Sequence, residues 1–291
     1  MQTRKVLKVI EPQTTSDGAG VRLKRSIGTH TLDHLDPFLL FDHFGSDNPD
    51  DYMAGFPLHP HRGIETVTYM ISGAVDHRDS IGNAGTIEDG DIQWMTAGHG
   101  IMHEEMPSRS EGVMEGFQLW VNLPARLKMT APRYRSVPSG QIPETETEGG
   151  VRTRIIAGTA NGMRGAVSDI AADPSYFDVS MPAGTTFEQP AERGHSVFAY
   201  VFEGAARFGM DENQAGHHVQ ATRLVVFEDG DVVRVETDEK PVRFLLLSGK
   251  PLGEPIARYG PFVMNTEEEI YHTLQEIRSG SFPAPPFPDE T

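Results

Sequence analysis

GFPLHPHRGIETVTYMISG, Gly55–Gly73, sets His59 and His61 two residues apart just ahead of an apolar run. In an extended chain such residues share one face, about 6.5–7 Å apart, and Pro60 favours extension of the residue before it. The same spacing returns in GIMHEEM, residues 100–106, as His103 and Glu105. If antiparallel strands of a small barrel bring the two pairs together, three imidazoles and one carboxylate face one point. That donor set suits Fe(II), and less selectively Mn, Ni, Cu or Zn. Either pair alone is equally consistent with ordinary strand histidines. With 12 His in 291 residues, chance supplies roughly 0.5 His-x-His pairs.

The rest of the chain has the composition of a soluble globular protein, with 37% hydrophobic and 23% charged residues. A net charge of −17 argues against gripping a phosphate backbone, so no direct nucleic-acid partner is expected. The absence of cysteine excludes disulfides, thiolate catalysis and Cys-based metal sites. The opening MQTRKVLKVIEPQ lacks the apolar run of a secretory signal, and no stretch approaches the ~20 apolar residues of a membrane span. A cytoplasmic protein with no membrane partner is expected.

Short segments rich in β-branched and aromatic residues dominate, among them VTYMISGAV, HSVFAYVFEG and VRFLLLSG, so the fold class is all-β. Several recur. RGIETVTYMISGAV from Arg62 answers RGHSVFAYVFEGAA from Arg193, pairing Gly63 with Gly194, Tyr69 with Tyr200 and Gly73 with Gly204. EDGD stands at 88–91 and again at 228–231. This is the pattern of a duplicated unit, which predicts a first domain over 1–131, a polar linker over 132–150, a second domain over 151–265, and a helix with a tail over 266–291. For the helix, Thr266 and Glu269 form a capping box, Ile270, Leu274 and Ile277 follow at helical spacing, and Gly280 ends it. Carried across the repeat, His59 and His61 meet Pro190 and Glu192, and His103 and Glu105 meet Arg243 and Leu245. The ligand-type residues belong to one copy, so the second domain is expected to hold no metal.

Other marked residues are less decisive. Glu65 shares His61's parity and reads as a supporting or structural group. His99 lies in a Gly-flanked turn, where an exposed loop histidine is the simpler expectation. His43 opens an acidic stretch, DHFGSDNPDDYMAG, that reads as a lid or a solvated connection. Trp94, Met95, Met102, Phe56 and Phe117 are either pocket walls or plain core. His195, His217 and His218 have no partner pattern. Arg62 and Arg193 recur in both copies, which favours a structural role.

GFPLHPHRGIETVTYMISG resembles the first cupin motif, and GDIQWMTAGHGIMHEEMP a variant of the second in which His103 and Glu105 fall slightly late. Together with DPFLLFDHF, HPHRGIETV, QWMTAGHGIMHEEMP, FQLWVNLP and RYGPFVMNTEEEI, the chain resembles the pirin family over nearly its whole length. The resemblance implies two tandem cupin (double-stranded β-helix, or jelly-roll) barrels with a C-terminal helix. It also implies one divalent metal, Fe(II) foremost, in the N-terminal barrel on His59, His61, His103 and Glu105. Glu65 holds the place of a ligand in many other cupins, a role that in pirins passes to the later glutamate. Some members resemble quercetin 2,3-dioxygenases in activity, implying a small aromatic substrate and O2, with Glu105 as ligand and as base for the substrate hydroxyl. Other members resemble regulators, implying instead a metal or redox sensor that binds a protein partner such as a transcription factor or a metabolic enzyme.

Overall fold

The computed structural model describes residues 1–108, 112–211 and 215–282. They form two compact units, each a jelly-roll of antiparallel strands as expected. The N-terminal unit comprises residues 13–34, 38–139 and 252–291, and the C-terminal unit residues 1–12, 35–37 and 140–251. The proline-rich tail expected after the helix lies outside the described residues.

In the N-terminal unit a seven-stranded sheet is centred on Ile64–Ser72 and Met114–Asn122. Ile64–Ser72 is buried over its first seven residues. A central strand covered on both faces loses its period-2 signal, which is why IETVTYMIS reads as an unbroken run. A second sheet of four strands carries the two spaced pairs. Phe56–His61 pairs with Ile101–Pro107, placing His59 opposite His103, and Ile101–Pro107 pairs on its other side with Val75–Asp79.

The division of the chain departs from a simple head-to-tail order. Val6–Ile10 joins the C-terminal unit, pairing antiparallel with Arg223–Phe227. The segment expected as a linker carries two strands: Arg133–Val137 pairs with Ile92–Thr96, and Glu144–Glu146 with Arg152–Ala157. Both are terminal strands of their sheets and mostly half-buried or exposed, so they show no clear hydrophobic alternation.

Residues 252–282 return to the N-terminal unit, where they buttress the first motif. The Lys128 ammonium, 1% exposed, donates to the carbonyl oxygens of Gly63 and Val263 and to Asn122 Oδ1 at 2.8–3.0 Å. Gly63 has φ +78°, and a Cβ there would lie 1.9 Å from the Val263 carbonyl oxygen, so no other residue fits. The helix Glu267–Ser279 has the expected capping box and a left-handed Gly280. Ile270 is buried, whereas Ile277 is 37% exposed. Arg62, directly after His61, donates to Thr273 Oγ1, to Glu276 and to the His99 carbonyl. The helix therefore braces the strand that carries the histidines.

Candidate metal centre

The strand pairing delivers His59, His61 and His103 to one point. Their ring centroids lie 4.9 Å (59–61), 4.3 Å (59–103) and 5.1 Å (61–103) apart, and each offers a nitrogen within 4.8 Å of the others. His61 and His103 are 3% and 1% exposed. The His59 Nδ1–H donates to the Pro57 carbonyl at 2.9 Å, which leaves Nε2 as its ligand atom. Burial, then the neighbouring His59, holds the His61 and His103 imidazoles well below their ordinary pKa, so both stand neutral, as metal ligation requires.

Glu105 joins the cluster through His103. It groups with His103 and His77, lying opposite His77 across the strands and opposite Phe56 past a bulge between His103 and Glu105. Its Oε1 accepts from Thr68 Oγ1 (3.0 Å) and Gln93 Nε2 (2.6 Å). Its Oε2 has no hydrogen bond to a described residue. The carboxylate lines the same cavity as the three histidines.

His77 was not foreseen. It is fully buried, hydrogen-bonded through Nε2 to Asp79 at 3.2 Å, and stacked on Tyr134 at 4.6 Å. A signal existed in VDHRD, which alternates strictly between buried and exposed and puts His77 and Asp79 inward. Without knowledge of which strands pair, nothing linked it to His103.

The donor set can be tested against a metal by what it leaves unsatisfied. Both ring nitrogens of His103 and Nδ1 of His61 and His77 are buried with no hydrogen-bond partner among the described residues. Each such atom costs about 1–3 kcal/mol, and a cluster of them calls for a ligand. A soft-to-borderline divalent ion on imidazole nitrogens fits.

The cavity in front of this cluster has a volume of about 510 Å³. Phe44, Phe56 and Trp120 form aromatic walls, and the Trp120 ring stands edge-on to His61 at 5.1 Å. Of the aromatics noted in the sequence only Phe56 reaches the cavity; Trp94 and Phe117 are core. His43 is strand-bound rather than in a lid, its Nε2–H donating to Glu115 Oε1 at 2.9 Å and its ring stacking on Phe117. Glu65 is buried against Thr96 Oγ1 at 2.7 Å, with its carboxyl pKa raised chiefly by burial. Neither it nor the half-buried His99 lines the cavity.

The C-terminal unit has a different interior. Its strand Thr186–Pro190 pairs with Val232–Glu236, setting Pro190 opposite Val232, and the inward residues are Phe187 and Gln189 while Pro190 is exposed. Val232 thus stands where His103 stands in the first unit. Arg243 and Leu245, expected there from the repeat, belong to Val242–Gly249, whose neighbours are Ser175–Met181 and Ser196–Phe208. The repeated EDGD leads into non-equivalent strands, Ile92–Thr96 beside Ile64–Ser72 in the first unit and Val232–Glu236 beside Thr186–Pro190 in the second, so the offset counted from it does not hold. The ligand-type residues that gather in this unit, among those described, are Asp173, Glu192 and His195 at its surface. His217 and His218 are exposed on their strand.

A family model described as Pirin matches residues 20–121, and one described as Pirin C-terminal cupin domain matches residues 176–283. A pirin-like protein of Caulobacter vibrioides is 48% identical over 285 residues, covering 97% of this chain and 100% of that one. Pirin of Homo sapiens is 41% identical, covering 95% and 93%. The crystal structure of a quercetin 2,3-dioxygenase from Acinetobacter baumannii superposes with a TM-score of 0.87 at 34% identity, covering 97% of this chain and 99% of the other.

Proposed function

This chain belongs to the pirin family, and from that premise we propose that it is a metal-dependent dioxygenase acting on a flavonol such as quercetin or a related aromatic enol. The observation that carries the proposal is the cluster of His59, His61 and His103, with unpartnered buried nitrogens, at the floor of an aromatic-walled cavity. These three, with Glu105, are the residues that would hold the ion, Fe(II) foremost. When bound, such an ion supplies Lewis acidity toward an enol oxygen and a redox centre for O2.

The protein's own contribution is positioning and proton handling. Phe44, Phe56 and Trp120 orient a planar ring by stacking and keep water from it. Glu105, anchored through Oε1 by Thr68 and Gln93, presents Oε2 as the acceptor of the enol proton. The similarity to a quercetin 2,3-dioxygenase structure supports this substrate class.

The test is O2 uptake by protein carrying one equivalent of Fe(II), with quercetin as substrate and metal content measured on the same sample. Stoichiometric uptake and loss of the flavonol absorbance are expected. Full iron occupancy with no uptake would sink the enzymatic assignment in favour of a metal-sensing regulator that binds a protein partner.

A further inference from the structure

We propose that the cavity selects an anionic substrate, a planar aromatic enol bearing a carboxylate, and that Arg258 is the residue recognising that carboxylate. This deepens the function proposed above and rests on its placing of the enol at His59, His61 and His103.

Outside the donor set, the charged residues lining the cavity are Asp17, Arg25, Asp42 and Arg258. Arg25 is already committed. Its guanidinium makes a two-point contact with buried Asp42 at 2.7–2.8 Å and a further one with Asp17 at 2.7 Å. Arg258 is not: it forms no ion pair with a described residue. Its Nε and Nη1 make only long contacts, 3.4 and 3.3 Å, to the carbonyls of Gly260 and Leu39, and its Nη2 has no hydrogen bond to a described residue. A guanidinium in this state keeps donors free for a planar carboxylate.

It is also held in place. The guanidinium carbon lies 4.9 Å over the Trp120 ring, a cation–π contact that fixes its plane. Arg258 sits in the hairpin Ala257–Tyr259 and Phe262–Met264, whose second strand is tied to the first motif through Val263 N to the Arg62 carbonyl and through Lys128. Because the same indole stands 5.1 Å from the His61 ring, one aromatic wall adjoins both the cation and the histidine cluster. A rigid aromatic acid can stack on that wall with its carboxylate at Arg258 and its enol toward the histidines.

The experiment compares anaerobic binding of two fluorescent ligands, 3-hydroxyflavone and its 4′-carboxylate, to protein loaded with one equivalent of Fe(II). Wild type should bind the carboxylate about tenfold tighter or more. Arg258→Gln should erase the preference, leave affinity for the neutral flavonol and metal content unchanged, and Arg258→Lys should restore part of it. Equal affinities in wild type, failure of both ligands to bind, or a preference surviving in Arg258→Gln overturns the proposal. Because binding is read without O2, a charge preference without O2 uptake in air retains Arg258's role and removes the dioxygenase. Uptake with no charge preference does the reverse.

Discussion

In the N-terminal barrel the strand Phe56–His61 turns His59 and His61 toward an open cavity; in the C-terminal barrel Thr186–Pro190 turns Phe187 and Gln189 inward. There Phe187, Phe208 and Phe244 pack ring against ring at 5.4–5.9 Å, within one continuous cluster that also holds Val233 and Val235. Each such side chain contributes about 1.5–3 kcal/mol by burial. The N-terminal barrel instead opens a cavity of about 510 Å³ and encloses imidazole nitrogens with no partner among the described residues, each of which costs stability. The same frame is filled with apolar side chains in one copy and left open, with unsatisfied polar atoms, in the other.

The sharpest way to break this contrast is His103→Ala. It removes the residue common to both donor groups, so metal affinity should fall well beyond the roughly 10–100-fold typical of changes outside the ligand set, with the far-ultraviolet circular dichroism unchanged. A full equivalent of metal at the same site in the variant would disprove the assignment. Next in size is Glu105→Gln, which keeps an oxygen able to coordinate but loses the base. Turnover per bound metal should drop on the order of 10²–10⁴-fold while occupancy falls only in part; near-normal turnover would reduce Glu105 to a ligand.

Phe244→Ala probes the filled barrel. Unfolding should be easier by about 3–5 kcal/mol, with metal stoichiometry untouched, since Phe244 packs among apolar side chains. Lost metal at preserved fold would mean the second barrel takes part in binding. The smallest effect concerns pH. Burial lowers the Lys128 ammonium to about 8 from 10.5, so between those values the unfolded chain holds more protons, and stability should rise with pH across that window. Lys128→Met should remove that rise, as read by urea midpoints at pH 8 and 10; an unaltered slope would discount the buried amine.

Much of this contrast could be read in the amino acids. The paired glycine turns are real: Gly63 and Gly194 have φ of +78° and +77°, and Tyr69 and Tyr200 are both fully buried. The three histidines converge as their spacing implied. What was hidden depended on long-range pairing. The two EDGD stretches lead into strands with different partners, so counting along the repeat put Arg243 in a place that Val232 occupies. His77 joins the cluster only because Val75–Asp79 lies beside Ile101–Pro107, which periodicity cannot show. Arg258 is two hundred residues from the first motif, and only the return of the chain explains it.

That return also imposes a schedule. A chain made from its N-terminal end has all the parts of the C-terminal barrel in hand once residue 251 emerges, because Val6–Ile10 is already waiting to pair. The histidine-bearing barrel lacks its Val263 and Thr273 clamps and its Arg258 until residues 252–282 follow. The histidine-bearing barrel is therefore the later of the two to be completed, and its buttressed cluster takes shape only after the other barrel has all its strands.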